Sequence, residues 1–510
     1  MRNEASPGAP APRPLLAQLE HVARTRGAHT AFVEGERRTT YAQLWSWVER
    51  IGQGLRGRIQ PGEPVVIVMD NRAELAAAIY ATWWAGGVTA TLNPALKLPD
   101  LIALGHQCGA RLALLDPAFA AQKDEWGRSG VAAFELDAWL AEPTAEPPCD
   151  APLATDRSST AALIFTSGTT GQPKGVMLSH ANLAANVAAV QASLPMQADD
   201  VTLCVLPFHY AYGGSVLHTH LTLGATLVLE NSFMYPQRIT QRMAQCGVTA
   251  FHGVPSSYYL LLERGQITGA NLGSLRYVAQ AGGPMDPARI DAFCALLPQV
   301  GFWVMYGQTE ACSRLTTLPA PERLRKRGSV GRPLPGVRLR VLGPDGARLP
   351  CGEVGEVCAQ GDNVMQGYWQ APDDTAATLQ NGWLRTGDIG HLDDEGFLFL
   401  HGRSRDIIKV GAHRVAPQEI EQVIQLVPGV QECAVLAMPD TLLGEVIRAC
   451  VVPALDAPEA STLTRDILRT CRERLPLYKM PRQVDCFDAL PRTASGKIQK
   501  HLIPAHPGQA

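Results

Sequence analysis

Lysine is the scarce residue of this chain: eight among 510 residues, against thirty-seven arginines. The formal charge is close to balanced at −3, and no stretch forms a basic block, so the electrostatic footprint of a nucleic-acid binder is missing. The twelve cysteines are scattered without a C-x-x-C pair, and many have apolar neighbours, as at Cys204, Cys294 and Cys450. That pattern excludes a zinc or disulfide framework and leads us to expect reduced core thiols in a cytoplasmic protein. The N-terminal MRNEASPGAPAPRP has no secretory apolar region and reads as a disordered lead-in over 1–13. One stretch, Leu75–Leu92, has the length of a membrane span. Gly86-Gly87 interrupts it and Thr82, Thr89 and Thr91 dilute it, so it reads as a buried helix running into a strand, and no membrane span is expected. No internal repeat is found, and the length suggests roughly two to four domains.

Against these absences stands residues 163–176, LIFTSGTTGQPKGV. The apolar run Ala161–Phe165 reads as a buried strand that empties into a loop of Thr166, Ser167, Gly168, Thr169, Thr170 and Lys174. Glycines let such a backbone close on a ligand, while hydroxyls and an ammonium supply donors for a cluster of anionic oxygens. A Walker A loop is excluded, because Lys174 follows Pro173 and precedes Gly175. Lys409 and Lys497 also fall in motif-like stretches. In a chain that otherwise uses arginine, this points to a need for a compact ammonium rather than a planar fork.

Around this stretch, strands are expected at Pro64–Met69, Val88–Leu92 and Arg111–Leu115, with helices at Glu74–Ala85 and Leu98–Cys108 between them, implying parallel crossovers. A Pro-rich linker at 141–153 closes this first lobe. Ser179 opens a helix reaching about Leu194, and the alternation resumes with strands near Thr202–Val205, Ala225–Leu229, Val248–His252, Tyr277–Ala281 and Phe302–Met305. From Gly328 short β-rich segments (Val337–Val341, Gly355–Ala359, Gly396–Leu400) follow between turns, with a hairpin around Asp394-Glu395-Gly396.

Six further stretches accompany the glycine loop: LPFHYAYGG (206–214), AGGPM (281–285), YGQTE (306–310), RTGD (385–388), GRSRDIIK (402–409) and LPRTASGK (490–497). In this order they resemble the motifs of the adenylate-forming, AMP-binding superfamily, nearest to its acyl- and aryl-CoA synthetases. The resemblance covers about residues 160–500. It implies an α/β fold: a large N-terminal domain of α/β lobes with mostly parallel sheets plus a β-rich subdomain (14–401), a hinge at 402–405, and a small mobile α+β C-terminal lid (406–505). It also implies ATP, Mg²⁺ and coenzyme A. A carboxylate attacking a phosphate is already ionised near neutral pH, so no general base is needed and the task is charge neutralisation and alignment. The absence of a nucleophile elbow or catalytic dyad agrees.

By that resemblance Thr166, Ser167, Gly168, Thr169, Thr170 and Lys174 would hold the β/γ-phosphates. Gly282, Gly283 and Tyr306 would line the adenine. Thr309 would meet the α-phosphate, Glu310 would hold Mg²⁺, and Asp388 and Arg403 would take the ribose. Lys497 would bridge carboxylate and phosphate oxygens during adenylation. Arg405 matches the hinge position, and Lys409 a lysine used for the second half-reaction in some members. The acid pocket is expected near His209, Ala211, Ser215, Ala281 and Gly307, with Cys312 close by.

Peptide-synthetase domains carry an aspartate on the substrate-side motif for an α-amino group. Phe208–Tyr212 holds no acid, so a buried ammonium would be unpaired there. An aryl or acyl-chain acid is expected instead, with His209 between the acid and the thiol channel. Gly367-Tyr368-Trp369 leads to Thr386 without room for the insertion typical of ligases that serve carrier proteins, and the chain ends soon after Lys497, so coenzyme A is the expected acceptor. Ala412 stands where a glycine usually borders the thiol arm, which keeps a separate carrier protein as the alternative. A degenerate nucleotide-binding scaffold would lack Lys497, Glu310 or Asp388, and all three are present.

Overall fold

The computed structural model describes residues 13–141, 151–166, 173–269, 271–403, 408–410, 413–415, 417–440, 444–492 and 498–505. By internal packing the chain divides into two compact units, Met1–Leu339 with Ala359–Leu384, and Arg340–Cys358 with Arg385–Ala510. This division does not follow the motif-based one, since it groups 340–358 and 385–401 with the C-terminal residues. The expected lead-in up to residue 12, most of the Pro-rich linker and hinge residues 404 and 405 lie outside the described residues.

In the first unit the apolar run at Leu75–Leu92 becomes the helix Ala73–Trp84 and the strand Val88–Leu92. Every residue of that helix is buried. Its alanines let it lie close to the helix Tyr41–Leu55, where a Cβ on Gly52 would stand 2.5 Å from the Trp84 ring. Trp83 satisfies its buried indole N–H on the Ala161 carbonyl at 2.8 Å, which pins the helix to the strand Thr160–Thr166. That strand belongs to a seven-stranded sheet: Gly367–Tyr368, Lys174–Ser179, Thr160–Thr166, Val88–Leu92, Pro64–Val68, Leu112–Leu115 and Ala132–Glu135, in spatial order. Its last five members run parallel, as the strand–helix alternation predicts.

The sequence reading needs one correction and one addition here. The first lobe does not close at the linker, because Thr160–Thr166 pairs with Val88–Leu92 in the same sheet. The glycine loop itself opens into a strand that the sequence reading did not place. It joins Thr160–Thr166 to an antiparallel strand, Lys174–Ser179, and only then does Ser179 cap the helix His180–Ser193. The cap is reciprocal: the Asn182 N–H donates to Ser179 Oγ at 3.0 Å and the Ser179 N–H to Asn182 Oδ1 at 2.9 Å.

A nine-stranded sheet completes the unit. Its parallel centre runs Gly301–Tyr306, Tyr277–Gln280, Ala250–Gly253, Val201–Cys204, Thr226–Leu229 and Thr30–Glu34, with antiparallel strands at both edges. In the second unit Asp388–Leu392, the end of the strand Trp383–Leu392, pairs with Leu398–Arg403 in the expected hairpin, with Gly396 at φ 80° in its turn. A C-terminal sheet of Ile408–Val410, His413–Val415, Val430–Asp440, Gly444–Pro453 and Gln483–Cys486 buries Val435, Ile447, Ala449 and Val451 against the helices Pro417–Ile424 and Ala460–Arg474. Among the described residues no helix is long and apolar enough to cross a membrane.

The helices His180–Ser193 and Ala211–Leu223 carry buried histidines into apolar surroundings: the rings of His180 and His218 lie 5.6 and 5.2 Å from Trp83. Desolvation pushes His180 and His220 down to about 4 and His218 to about 3. An unfolded chain takes protons on these rings near pH 6.5, the folded chain only below about 4 to 3, so their contribution is present above pH 6.5 and lost as pH falls. For His180 the shift corresponds to about 3 kcal/mol. The urea midpoint is therefore expected to hold steady above pH 7 and fall between about pH 6.5 and 4, and His180→Gln should flatten that fall. An unchanged slope in the variant would refute neutral burial of this ring.

Candidate active site

Thr166 and Lys174 face each other across the antiparallel pair that flanks the glycine loop, and Thr166 Oγ1 donates to the Lys174 carbonyl at 3.4 Å. Ser167, Gly168, Thr169 and Thr170 lie outside the described residues. The Lys174 ammonium sits 5.4 Å from the centre of the Tyr368 ring and 2.5 Å from Asp374 Oδ1. Tyr368 belongs to the edge strand Gly367–Tyr368, which pairs with Lys174–Ser179 in register Tyr368↔Val176. Its hydroxyl donates to Glu310 Oε1 at 2.9 Å. Burial first, and the Glu310 carboxylate second, push this phenol well above its ordinary range, so it stays protonated and donates. A lysine and a carboxylate taken from motifs more than 130 residues apart thus both contact one tyrosine, the first over its ring and the second at its hydroxyl.

Glu310 and Thr309 form a single 3₁₀ turn, Thr309–Ala311, after the strand Gly301–Tyr306. Gly307 makes the exit possible: a Cβ there would stand 2.1 Å from the Ser313 carbonyl oxygen. Two asparagines then fix the returning chain. Asn363 Nδ2 donates to the carbonyls of Ala311 (3.1 Å) and Arg314 (2.8 Å), and Asn186 Nδ2 to that of Arg314 at 3.2 Å. Tyr306 is buried at the strand's end. Ala281, Gly282 and Gly283 follow the strand Tyr277–Gln280. Gly282 has φ 88°, a left-handed backbone that suits glycine, and Gln280 Nε2 donates to the Gly283 carbonyl at 2.7 Å.

His209 precedes the helix Ala211–Leu223. Its ring is buried, Nε2 has no hydrogen-bond partner, and desolvation pushes it down to about 4, so the imidazole is neutral. Ala211, Ser215 and Cys312 line one cavity with Trp83, Ile164 and Phe208, and no carboxylate is among its walls. His209, Ala281 and Gly307 are not among those walls.

In the second unit Asp388 and Arg403 are cross-strand partners, with Arg403 Nε 3.1 Å from Asp388 Oδ1. The Asp388 N–H donates to Thr386 Oγ1 at 3.1 Å, and that hydroxyl donates to the Val357 carbonyl at 2.7 Å. Lys409 lies on the strand Ile408–Val410 opposite Arg414, its side chain outside what is described. Arg405, Ala412 and Lys497 are outside the described residues; Arg492 and Ile498, on either side of the last, form an antiparallel bridge. Sequence reasoning missed Asp374, whose place in the first turn of the helix Pro372–Thr378 is that of any N-terminal acid, and Arg314, which carries no motif signal.

Residues 19–369 match the model of the AMP-binding enzymes and residues 419–497 that of the AMP-binding enzyme C-terminal domain. The chain belongs to this AMP-binding enzyme family. It is similar to a feruloyl-CoA synthase from an Amycolatopsis species, 35% identical over 92% of this chain and 94% of that one. It is also similar to an indoleacetate–CoA ligase from Aromatoleum aromaticum, 33% identical over 95% and 96%. Among solved structures, the o-succinylbenzoate CoA synthetase of Bacillus subtilis in complex with its acyl-adenylate superposes with a TM-score of 0.86 at 29% identity, over 97% of this chain and 99% of that one. The same protein with ATP and a magnesium ion gives 0.85 at 30%, over 95% and 98%.

Asp374 is half exposed, so its ion pair with Lys174 contributes less than about 1 kcal/mol to stability. If that ammonium holds phosphate, as the resemblance implies, Asp374 competes for it. Asp374→Asn is expected to lower KM for ATP two- to fivefold with little change in the urea midpoint, and Lys174→Ala to raise KM for ATP at least tenfold. Initial rates at varied ATP decide, and a KM for ATP unmoved by Lys174→Ala would remove the phosphate role.

Proposed function

We propose that this protein is an AMP-forming acid–CoA ligase acting on an aryl or acyl-chain carboxylic acid. The acid attacks the α-phosphate of ATP, pyrophosphate leaves, and the acyl group passes from the adenylate to the thiol of coenzyme A. The observation that carries this reading is the line Lys174–Tyr368–Glu310, which presents a cation for phosphate oxygens and an oxygen ligand for a metal ion from one rigid group. Glu310 is a hard donor that fits magnesium. Among the described residues no cluster of three or more His, Cys, Asp or Glu side chains could cage a metal, which agrees with an ion held jointly with substrate phosphates. When bound, that ion would supply charge neutralisation on the phosphates.

The other roles follow the resemblance. Thr166 and the loop beyond it, with Lys174, hold the β- and γ-phosphates, and Thr309 meets the α-phosphate. Tyr306 with Gly282 and Gly283 forms the adenine surface, and Asp388, oriented by Arg403, accepts from the ribose hydroxyls. Lys497 bridges the reacting oxygens, while Lys409 and Arg405 belong to the second half-reaction and the hinge. His209, neutral and with an unpartnered Nε2, can take a hydrogen bond or a proton at the acid or thiol without first losing one. Ala211, Ser215, Ala281 and Gly307 shape the acid pocket, whose lack of a carboxylate disfavours cationic amino acids. The eleven described cysteines are free, which supports a cytoplasmic setting.

Acid-dependent pyrophosphate release, measured across aryl, short-chain and long-chain acids with and without coenzyme A, tests the reading. Multiple turnover with one class of acid only in the presence of coenzyme A, with its thioester as product, is the expected result. A single turnover that coenzyme A does not relieve would shift the acceptor to a carrier-protein thiol. Lys497→Ala should slow pyrophosphate release by about 100-fold or more, on the scale of losing one aligned charge donor. Retention of the full rate would remove that lysine from the adenylation step.

A further inference from the structure

Among the described residues Arg314 is a buried cation without a carboxylate partner. It follows Cys312 and Ser313, whose φ values of 51° and 90° lie in the left-handed region that non-glycine residues rarely occupy. This double reversal, locked by the two asparagines on the Ala311 and Arg314 carbonyls, turns the arginine side chain inward until the residue is 1% exposed. Its guanidinium lies 3.8 Å from the centre of the Tyr212 ring. Its hydrogen bonds go to the hydroxyl and carbonyl of the adjacent Ser313, Nε has no acceptor, and no carboxylate among the described residues pairs with it. Burial brings it down to about 10, which leaves it charged at neutral pH. Buried charges are as a rule paired, and removing one partner of such a pair is strongly destabilising, so an arginine without one calls for an anion from elsewhere.

Its backbone borders residues expected at the acid pocket, and the guanidinium lies behind the walls of the cavity described above. A Cβ on Gly307 would stand 2.7 Å from Arg314 Cα, and one on Gly282 would stand 3.9 Å from the Tyr212 ring. Two residues earlier Cys312 lines the cavity that Ser215 also lines, and Ser215 Oγ is buried without a partner. Behind Tyr212 stand His252, with both ring nitrogens unpartnered, and His220, with Nε2 unpartnered; burial keeps both rings neutral. One cation and several neutral hydrogen-bonding groups without partners therefore lie close to where the acid is expected, and no carboxylate lines the neighbouring cavity.

We propose that Arg314 is the specificity residue of the acid pocket and that the preferred substrate is a dicarboxylic acid, one carboxylate reacting with ATP and the second held by the Arg314 guanidinium. This rests on the ligase reading above and narrows its substrate class. A guanidinium binds a carboxylate by paired charge-assisted hydrogen bonds. A site with such a donor left empty discriminates against analogues that lack the acceptor far more than an apolar pocket discriminates by size.

The test uses matched acids: benzoate against benzene dicarboxylates, 3-phenylpropanoate against its para-carboxyl derivative, and hexanoate against adipate. Pyrophosphate release gives kcat/KM for each, with wild type, Arg314→Met and Arg314→Lys, and acid-induced thermal shift gives binding apart from turnover. The expected result is a wild-type preference of at least 100-fold for the dicarboxylate of one pair. That ratio should collapse by a similar factor in Arg314→Met and be partly kept in Arg314→Lys. A ratio unchanged by Arg314→Met, or a wild type that prefers every neutral-tailed acid, overturns the proposal, and the wild-type comparison decides even if a variant fails to fold. If no acid releases pyrophosphate, a dicarboxylate that shifts the melting of wild type but not of Arg314→Met upholds the arginine subsite while the ligase reading fails. The absence of any such shift overturns both.

Discussion

The antiparallel ladder between Thr160–Thr166 and Lys174–Ser179 governs the first unit's chemistry. It sets Lys174 opposite Thr166 and offers its outer edge to Gly367–Tyr368. Flanking bonds hold the register: the Trp369 N–H donates to the Gly175 carbonyl at 2.7 Å and the Gln366 N–H to the Met177 carbonyl at 2.9 Å. Because side chains alternate along a strand, a slip of one residue would carry Lys174 to the opposite face and away from the Tyr368 ring. The Tyr368–Glu310 hydrogen bond extends this order to the 3₁₀ turn, and the Met365 N–H closes the same contact on the Glu310 carbonyl at 2.8 Å. Lys174 and Glu310 are therefore positioned by one edge of one sheet.

Much of this frame was legible in the sequence. The helix Leu98–Cys108 and the strand Val88–Leu92 follow directly from apolar pattern and breakers, and Ser179 with Asn182 marks a helix start by capping chemistry alone. The hairpin after the glycine loop was not legible. Lys174–Ser179 has strands on both sides and buries Gly175, Val176, Leu178 and Ser179, so it lacks the period-two alternation that announces a half-exposed strand. With that signal missing, nothing local marks these six residues as a strand.

The site was legible where a motif carried it and not where distant segments meet. Glu310, Lys174, Asp388 and Arg403 all stand in recognisable stretches, and each is found beside a polar partner. Asp374 reaches Lys174 from 200 residues downstream, a contact no local pattern encodes. Arg314 is illegible for a different reason. An arginine after YGQTEACS reads as a solvated side chain, and its burial is decided by the backbone reversal at Cys312 and Ser313, which falls on residue types that rarely adopt it.

The partners themselves show how the charges are kept ready. Lys174 is held by Asp374, Glu310 by Tyr368, and Asp388 by Arg403, which fixes each charge without requiring it to be desolvated alone. A nucleotide that engages them replaces one polar partner with another, so little solvent reorganisation is left to oppose the reaction, as electrostatic preorganisation requires. Arg314 breaks this pattern, because its packing against Tyr212 removes water without supplying an opposite charge. A side chain that the fold buries with its charge uncompensated adds little to stability, so the reason for keeping it lies in what enters beside it. That argument separates the two kinds of cation in this unit. Lys174 comes with a displaceable protein anion, as the proposed nucleotide role requires, whereas Arg314 comes with none, which is what the proposed acid subsite requires.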